Sequence, residues 1–404
     1  MKINLIRLSN SLDPNATFKK DDDQFIEDLN NELFEDDIEL VEDSSLPYSV
    51  LFIETGGSEQ HFIKVEKELP RPIIMLSTCK NNSLPACFEI KTYLSNTYEE
   101  DSIILFGTEK EIALTLKDIS KLFSARSVIE GSNLGVIGKP SDWLIASKVD
   151  YEAVKKKYKI NLIDIPSSEL KEEIDKGILD NIPKKSVIEK YGKGNEYLKG
   201  ALEIYSGIKR IVEKYDLKGF TIRCFDLIEE YKNTACLALA MLNDEGIIGT
   251  CEGDIPSMLT MFFVKAISGQ TSFQANPSKI DLNTRTVLFA HCTVPMTMVK
   301  DIEYMTHFES GLGIGIRGNL DKRDISIVKL CPKLDHSLLL EGQIVDNPKL
   351  TNYCRTQVEV KFDDEEGLFT LLREDFGNHV IIAYGNIISD YINLLHFYNI
   401  NSKK

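Results

Sequence analysis

Between Arg223 and Asn276 the chain carries its densest set of groups suited to acid–base or metal chemistry. The run I-I-G-T-C-E-G-D-I-P places Glu252 and Asp254 directly after an apolar segment, and S-G-Q-T-S-F-Q-A-N ends on Asn276. If the strand that reads I-I-G-T continues through the acids, alternate positions put Glu252 and Asp254 on one face. Asp254 also has an ordinary use, as the cap of a helix beginning near Pro256. Glu252 has none so simple, because a carboxylate directly after a buried strand needs a partner. Two histidines are available: His291 ends L-F-A-H-C, and His379 stands in G-N-H-V-I-I-A-Y-G before another apolar run. One histidine beside a strand is usually structural. Two of them with Glu252 and Asn276 make an oxygen-and-nitrogen site for Mn²⁺, Co²⁺, Fe²⁺ or Mg²⁺.

The elements that must position these residues follow from hydrophobic period. Residues 2–8, 48–53, 72–76 and 103–106 are short apolar strands, and helical spacing covers 21–33 and 110–124. The glycines of E-T-G-G-S-E, including Gly57, form a strand-to-helix turn that lets backbone approach a ligand closely. The alternation restarts at N-L-G-V-I-G (133–138), with K-P-S-D-W and the only tryptophan, Trp143, behind it. Further strands are read at 159–165 and 219–224, and helices at 167–179, 184–191 and 195–215, with an amphipathic segment at 256–267. Strands alternating with helices predict parallel, doubly wound sheets. After Gly269 the pattern becomes period two, with strands at 286–290, 311–318, 325–330, 336–345, 356–361 and 379–384, then a helix at 386–397. The fold expected is α/β: two Rossmann-like domains, 1–130 and 131–269, followed by a mainly antiparallel, barrel-like domain, 270–404.

A chain of 404 residues is long enough for two or three cores. Its 47 Lys and Arg against 63 Asp and Glu leave a net charge of −16, which opposes nucleic acid and anionic membranes. No stretch approaches the roughly 20 apolar residues of a membrane span, and the N-terminus lacks a signal-peptide pattern, so a cytoplasmic protein is expected. The eight cysteines include no C-x-x-C pair, and the reading for them is reduced, buried thiols.

The segments C-E-G-D, S-G-Q-T-S-F-Q-A-N, A-H-C, T-H-F-E-S-G-L-G and G-N-H occur in that order. Together with T-G-G and N-S-L-P-A (82–86) they resemble motifs of the L-fucose isomerase and L-arabinose isomerase superfamily, over nearly the whole chain. The resemblance implies two Rossmann-like domains and a barrel-like one, a homo-oligomer (trimer or hexamer), a sugar substrate and one bound Mn²⁺. The family's metal-binding Glu carries over to Glu252 and its His to His379. The family's Asp position falls on Asn276, and His291 matches a histidine ligand of the arabinose isomerases.

The activity this implies is aldose–ketose interconversion through an enediol. A C–H beside a carbonyl is a poor acid, so the metal stabilises the developing negative charge and a carboxylate, Glu252, moves the proton between C1 and C2. Asn276 departs from the family, since an amide offers an oxygen to a metal but cannot shuttle a proton. The proton route would then pass through water, Asp254 or Asp281; a sugar-binding protein without turnover, or an epimerase or lyase, are the alternatives. His307 either bonds a sugar hydroxyl or ties down its own loop. Arg223 either orients substrate or pairs with Asp226 or Glu229.

Overall fold

The computed structural model describes residues 1–10, 19–98, 102–179, 182, 192–398 and, for the backbone, 401–403. The helix expected at 184–191 lies outside the described residues. The chain divides into two compact units, Met1–Ser124 and Ala125–Lys404, with the boundary inside the helix Glu109–Ile129.

In the first unit, strands β1 (Lys2–Leu8), β2 (Glu39–Val41), β3 (Ser49–Ile53), β4 (Ile73–Ser77) and β5 (Ser102–Leu105) form one parallel sheet in the order β2-β1-β3-β4-β5. The strands are near-continuous apolar runs because helices cover them, and Val50, Phe52, Met75 and Leu76 are fully buried. Gly57 lies in the turn after β3 at φ +82°, where a side chain would run into Asn10.

The second unit builds a parallel sheet and a closed barrel on one continuous core. Strands β6 (Asn133–Ile137), β7 (Asn161–Ile165), β8 (Leu217–Ile222) and β9 (Ile248–Thr250) form a parallel sheet in the order β7-β6-β8-β9. Six later strands close an antiparallel barrel: β10 (Phe273–Asp281), β11 (Thr286–His291), β14 (Asp324–Leu330), β15 (His336–Asp346), β16 (Thr356–Lys361) and β17 (Val380–Tyr384). Their order is β14-β17-β10-β11-β16-β15, and β14 pairs back onto β15. Closure removes sheet edges, which suits an antiparallel sheet of this length. Strands β12 (Val299–Met305) and β13 (Gly315–Leu320) make a separate ribbon, and β18 (Asn401–Lys403) adds in parallel to β15.

Between the parallel sheet and the barrel runs the helix Ile255–Ser268. Amphipathic spacing was the expectation here, yet every residue from Ile255 to Val264 is buried. The helix packs on strands of both sheets, β8 and β9 on one side and β10, β14 and β17 on the other, so it has no solvent face in its first turns. A core cluster that includes Leu237 to Leu242 joins Ile137 and Phe220 of the parallel sheet to Phe273, Val287 and Ile327 of the barrel.

Candidate functional site

The segment that joins β9 to this helix makes the site. The strand stops at Thr250, and Glu252 and Gly253 both take left-handed backbone, at φ +65° and +73°. A side chain at 253 would approach Lys139 O and Pro140 Cα to 2.6 Å, so only glycine fits. The turn is pinned on three sides: Gly253 N bonds Ile222 O, Ser141 N bonds Glu252 O, and Cys251 N bonds the Gln274 side chain. The expected continuation of the strand does not occur. Glu252 and Asp254 therefore do not share a strand face; Glu252 turns to a cavity and Asp254 turns into the core.

They nevertheless meet at one imidazole. His379, fully buried at the start of β17, donates from Nδ1 to Asp254 Oδ2 at 2.8 Å, and its Nε2 stands 3.5 Å from Glu252 Oε1. That separation is an ion-pair contact rather than a hydrogen bond, and Nε2 has no hydrogen-bond partner among the described residues. Asp254 both caps the helix, accepting from Ser257 N, and pairs with Lys329 Nζ at 2.9 Å. Both members of that pair are buried to within 1%.

Burial alone would raise both carboxyl pKa values, but the neighbours reverse this. Lys329 and His379 hold Asp254 well below the usual range, and the His379 contact, the two imidazoles and the Trp143 bond hold Glu252 at about 2. Burial would likewise lower His379, yet its contacts with Asp254 and Glu252 raise it above its ordinary value. Among the described residues no carboxylate is hydrogen-bonded to His291, and burial beside His379 lowers it to about 3, leaving a neutral ring at physiological pH.

The cavity measures about 520 Å³, large enough for a monosaccharide. Glu252, Asn276, His291 and His307 line it, with His379 in the wall behind, 5.4 Å ring to ring from His291. Asn276 sits on β10 opposite Ala290, and its Nδ2 donates to Asn378 Oδ1, which leaves Oδ1 as the atom for a cation or hydroxyl. His291 shares a hydrogen bond from Nδ1 with Thr293, so Nε2 is its remaining donor atom. His307 ties down its own loop through Ser310 Oγ, and also lines the cavity with its ring edge-on to Phe225.

The remaining candidates lie elsewhere. Arg223 grips both oxygens of Asp142 and also Asp226, and it lines a separate crevice with Gly138 and Asp164. Of its two expected uses, the structural pairing with Asp226 is the one formed. Asp281 accepts from Asn283 and Thr284 backbone in the hairpin turn after β10. Gly57 belongs to the other unit.

Four features escaped the sequence reading. Trp143 donates its indole N–H to Glu252 Oε2 at 2.7 Å and stacks edge-on against Phe225. Glu309 lies at the rim, where partial burial and the charge of Glu252 push its carboxyl pKa up. Lys329 was hidden in the run I-S-I-V-K-L, although a lysine inside an apolar strand is itself a signal for a buried acid. Five cysteines, 224, 236, 251, 292 and 354, also face the cavity.

Ionised Glu252 and neutral His291 bring ligand atoms within 4.8 Å of each other, and the Nε2 of His379, 3.5 Å from Glu252, and the amide oxygen of Asn276 on the same cavity are further donor types that could hold a divalent cation. The fold and site thus define an α/β protein with a closed barrel whose rim carries a carboxylate–imidazole cluster open to a sugar-sized cavity. No family model matches the sequence. The chain is 20% identical over 380 residues to sulfoquinovose isomerase of Priestia aryabhattai, a match covering 86% of this chain and 83% of the relative, and equally so to that of Priestia megaterium. Sulfoquinovose isomerase of Clostridium sp. (strain MSTE9) is 23% identical over 211 residues, 48% of this chain and 45% of the relative.

Proposed function

We propose that the chain is an aldose–ketose sugar isomerase acting in the cavity beneath Trp143, through an enediol. The observation that carries the reading is Glu252. A glutamate at φ +65° is a strained conformation, and here it presents an ionised carboxylate to the cavity, fixed by Trp143 on one oxygen and facing His379 with the other. The isomerase relatives support it over most of the chain's length.

A divalent cation of the manganese, cobalt, iron or magnesium kind, held by Glu252, His291, His379 and Asn276, would supply stabilisation of negative charge on the sugar oxygens. The chain's own groups then account for the proton. A carboxylate takes the C2 proton of the aldose, the C–H electrons become the C1–C2 double bond of the enediol, and a proton returned to C1 gives the ketose. The hydroxyl proton passes from O2 to O1, so composition is unchanged. Glu252 is the candidate acceptor. Asn276 cannot carry a proton, and Glu309, whose carboxyl pKa partial burial and the charge of Glu252 push up, is the second carboxyl that can. Asp254 is buried behind His379 and acts by fixing which ring nitrogen faces the cavity.

Incubation of the manganese-loaded protein with five- and six-carbon sugars in D₂O tests this. Deuterium at C1 or C2 of one sugar is the expected outcome, and no exchange with any of them at full metal occupancy overturns it. Asn276 favours a second reading, sugar binding without turnover. That reading predicts ligand-dependent thermal stabilisation in the natural chain, with exchange appearing only in Asn276→Asp.

A further inference from the structure

Five of the eight cysteines face one cavity. Thiols used only as small apolar fillers have no reason to gather there, because any part of the core would satisfy them. Cys251 is distinguished by its neighbours. It directly precedes Glu252, and its Sγ, a carboxylate oxygen of Glu252 and a ring nitrogen of His291 all lie within 4.8 Å of one another. The backbone bond to Gln274 holds the residue in place, and Cys224 Sγ is 2.9 Å from its sulfur. Next to this cluster, 3.5 Å from Glu252, His379 Nε2 is buried with no hydrogen-bond partner among the described residues.

We propose that Cys251 is itself a ligand of the cavity's divalent cation, so that the ion is held by sulfur as well as by oxygen and nitrogen. This rests on reading Glu252, His291 and His379 as a cation site, and it changes which ion the site selects. A thiolate is a soft ligand and moves preference from Mg²⁺ and Mn²⁺ toward Co²⁺, Fe²⁺ and Zn²⁺. Ligation replaces the thiol proton by the cation, with that proton released to solvent. The Cys224 thiol is then placed to donate to the ligated sulfur, as neighbours of metal ligands commonly do.

Cobalt(II) alone is the probe, because a sulfur ligand gives it a near-ultraviolet charge-transfer band that oxygen and nitrogen ligands do not. The metal-free full chain is titrated with cobalt, and bound metal is counted separately. The expected result is the band in the wild type, its loss in Cys251→Ser with cobalt still bound, and its retention in Cys354→Ser. Bound cobalt without the band, or a band that persists in Cys251→Ser, overturns thiolate ligation and leaves the cation site standing. No bound cobalt overturns the cation site and this inference with it. Should Cys251→Ser not fold, alkylation of the wild type mapped by peptide mass spectrometry decides the matter. Cobalt should shield Cys251, and equal labelling with and without cobalt overturns the proposal.

Discussion

Glu252 and Glu309 face the same cavity in opposite electrostatic settings, and their variants should separate. Glu252 is held ionised by imidazoles and an indole N–H, which suits a ligand, whereas Glu309 is pushed toward neutrality by partial burial and by Glu252 itself. Glu252→Gln is expected to lose both bound cation and turnover. Glu309→Gln should keep the cation while kcat falls by about 10²-fold or more, the ordinary contribution of a positioned proton carrier. Metal analysis beside sugar turnover distinguishes the two; equal loss of cation in both variants would remove the division of roles. The sequence showed part of this site. Glu252, His291 and His379 could be singled out because each is a polar residue abutting an apolar run, and Asn276 and His307 because of the motifs they stand in. Trp143 could not, because its segment is brought to Glu252 by the turn contacts of Gly253 and Ser141 across 109 positions.

At the scale of elements, the helix Ile255–Ser268 anchors the site through its cap. Asp254 accepts from Ser257 and bonds His379, and Lys329 of β14 is the buried cation opposite it, so one carboxylate ties helix, barrel and imidazole together. Lys329→Met leaves that charge without its main partner and should cost about 3–5 kcal/mol, read as a lowered denaturation midpoint. The pH dependence has a definite sign. The folded pKa of Asp254 is depressed, so its contribution to stability is present above the unfolded value of about 3.9 and is lost as pH falls toward the folded one. The wild type should therefore lose stability more steeply than Lys329→Met between about pH 5 and pH 2. Parallel acid limbs would show that Lys329 does not set that pKa. Local pattern found most strands of both sheets because apolar runs and period two are direct signatures of burial on two faces or one. It did not find the stop at Thr250, since three further residues fit a strand and the turn is fixed by bonds to distant backbone, Gly253 N to Ile222 O and Ser141 N to Glu252 O.

Over the whole molecule, charge bears on which sugar the cavity takes. The chain carries −16 net, Glu252 and Glu309 of those acids line the cavity, and no lysine or arginine is among its described lining residues. A sulfonated sugar and a neutral one of the same size therefore make a direct comparison of test compounds. Two carboxylates about 8 Å from a sulfonate in water each oppose it by about 0.5 kcal/mol, together roughly a fivefold penalty in affinity. A bound divalent cation offsets part of this near Glu252 but leaves Glu309 and the surrounding field. Raising salt shortens the Debye length from about 30 Å at 0.01 M to about 8 Å at 0.15 M, which weakens the repulsion. The expected outcome is that kcat/KM for a sulfonated aldose rises severalfold over that range, while kcat/KM for neutral aldoses changes little. A fall for the anionic sugar would mean that cationic groups draw it in and that the two carboxylates do not govern its approach.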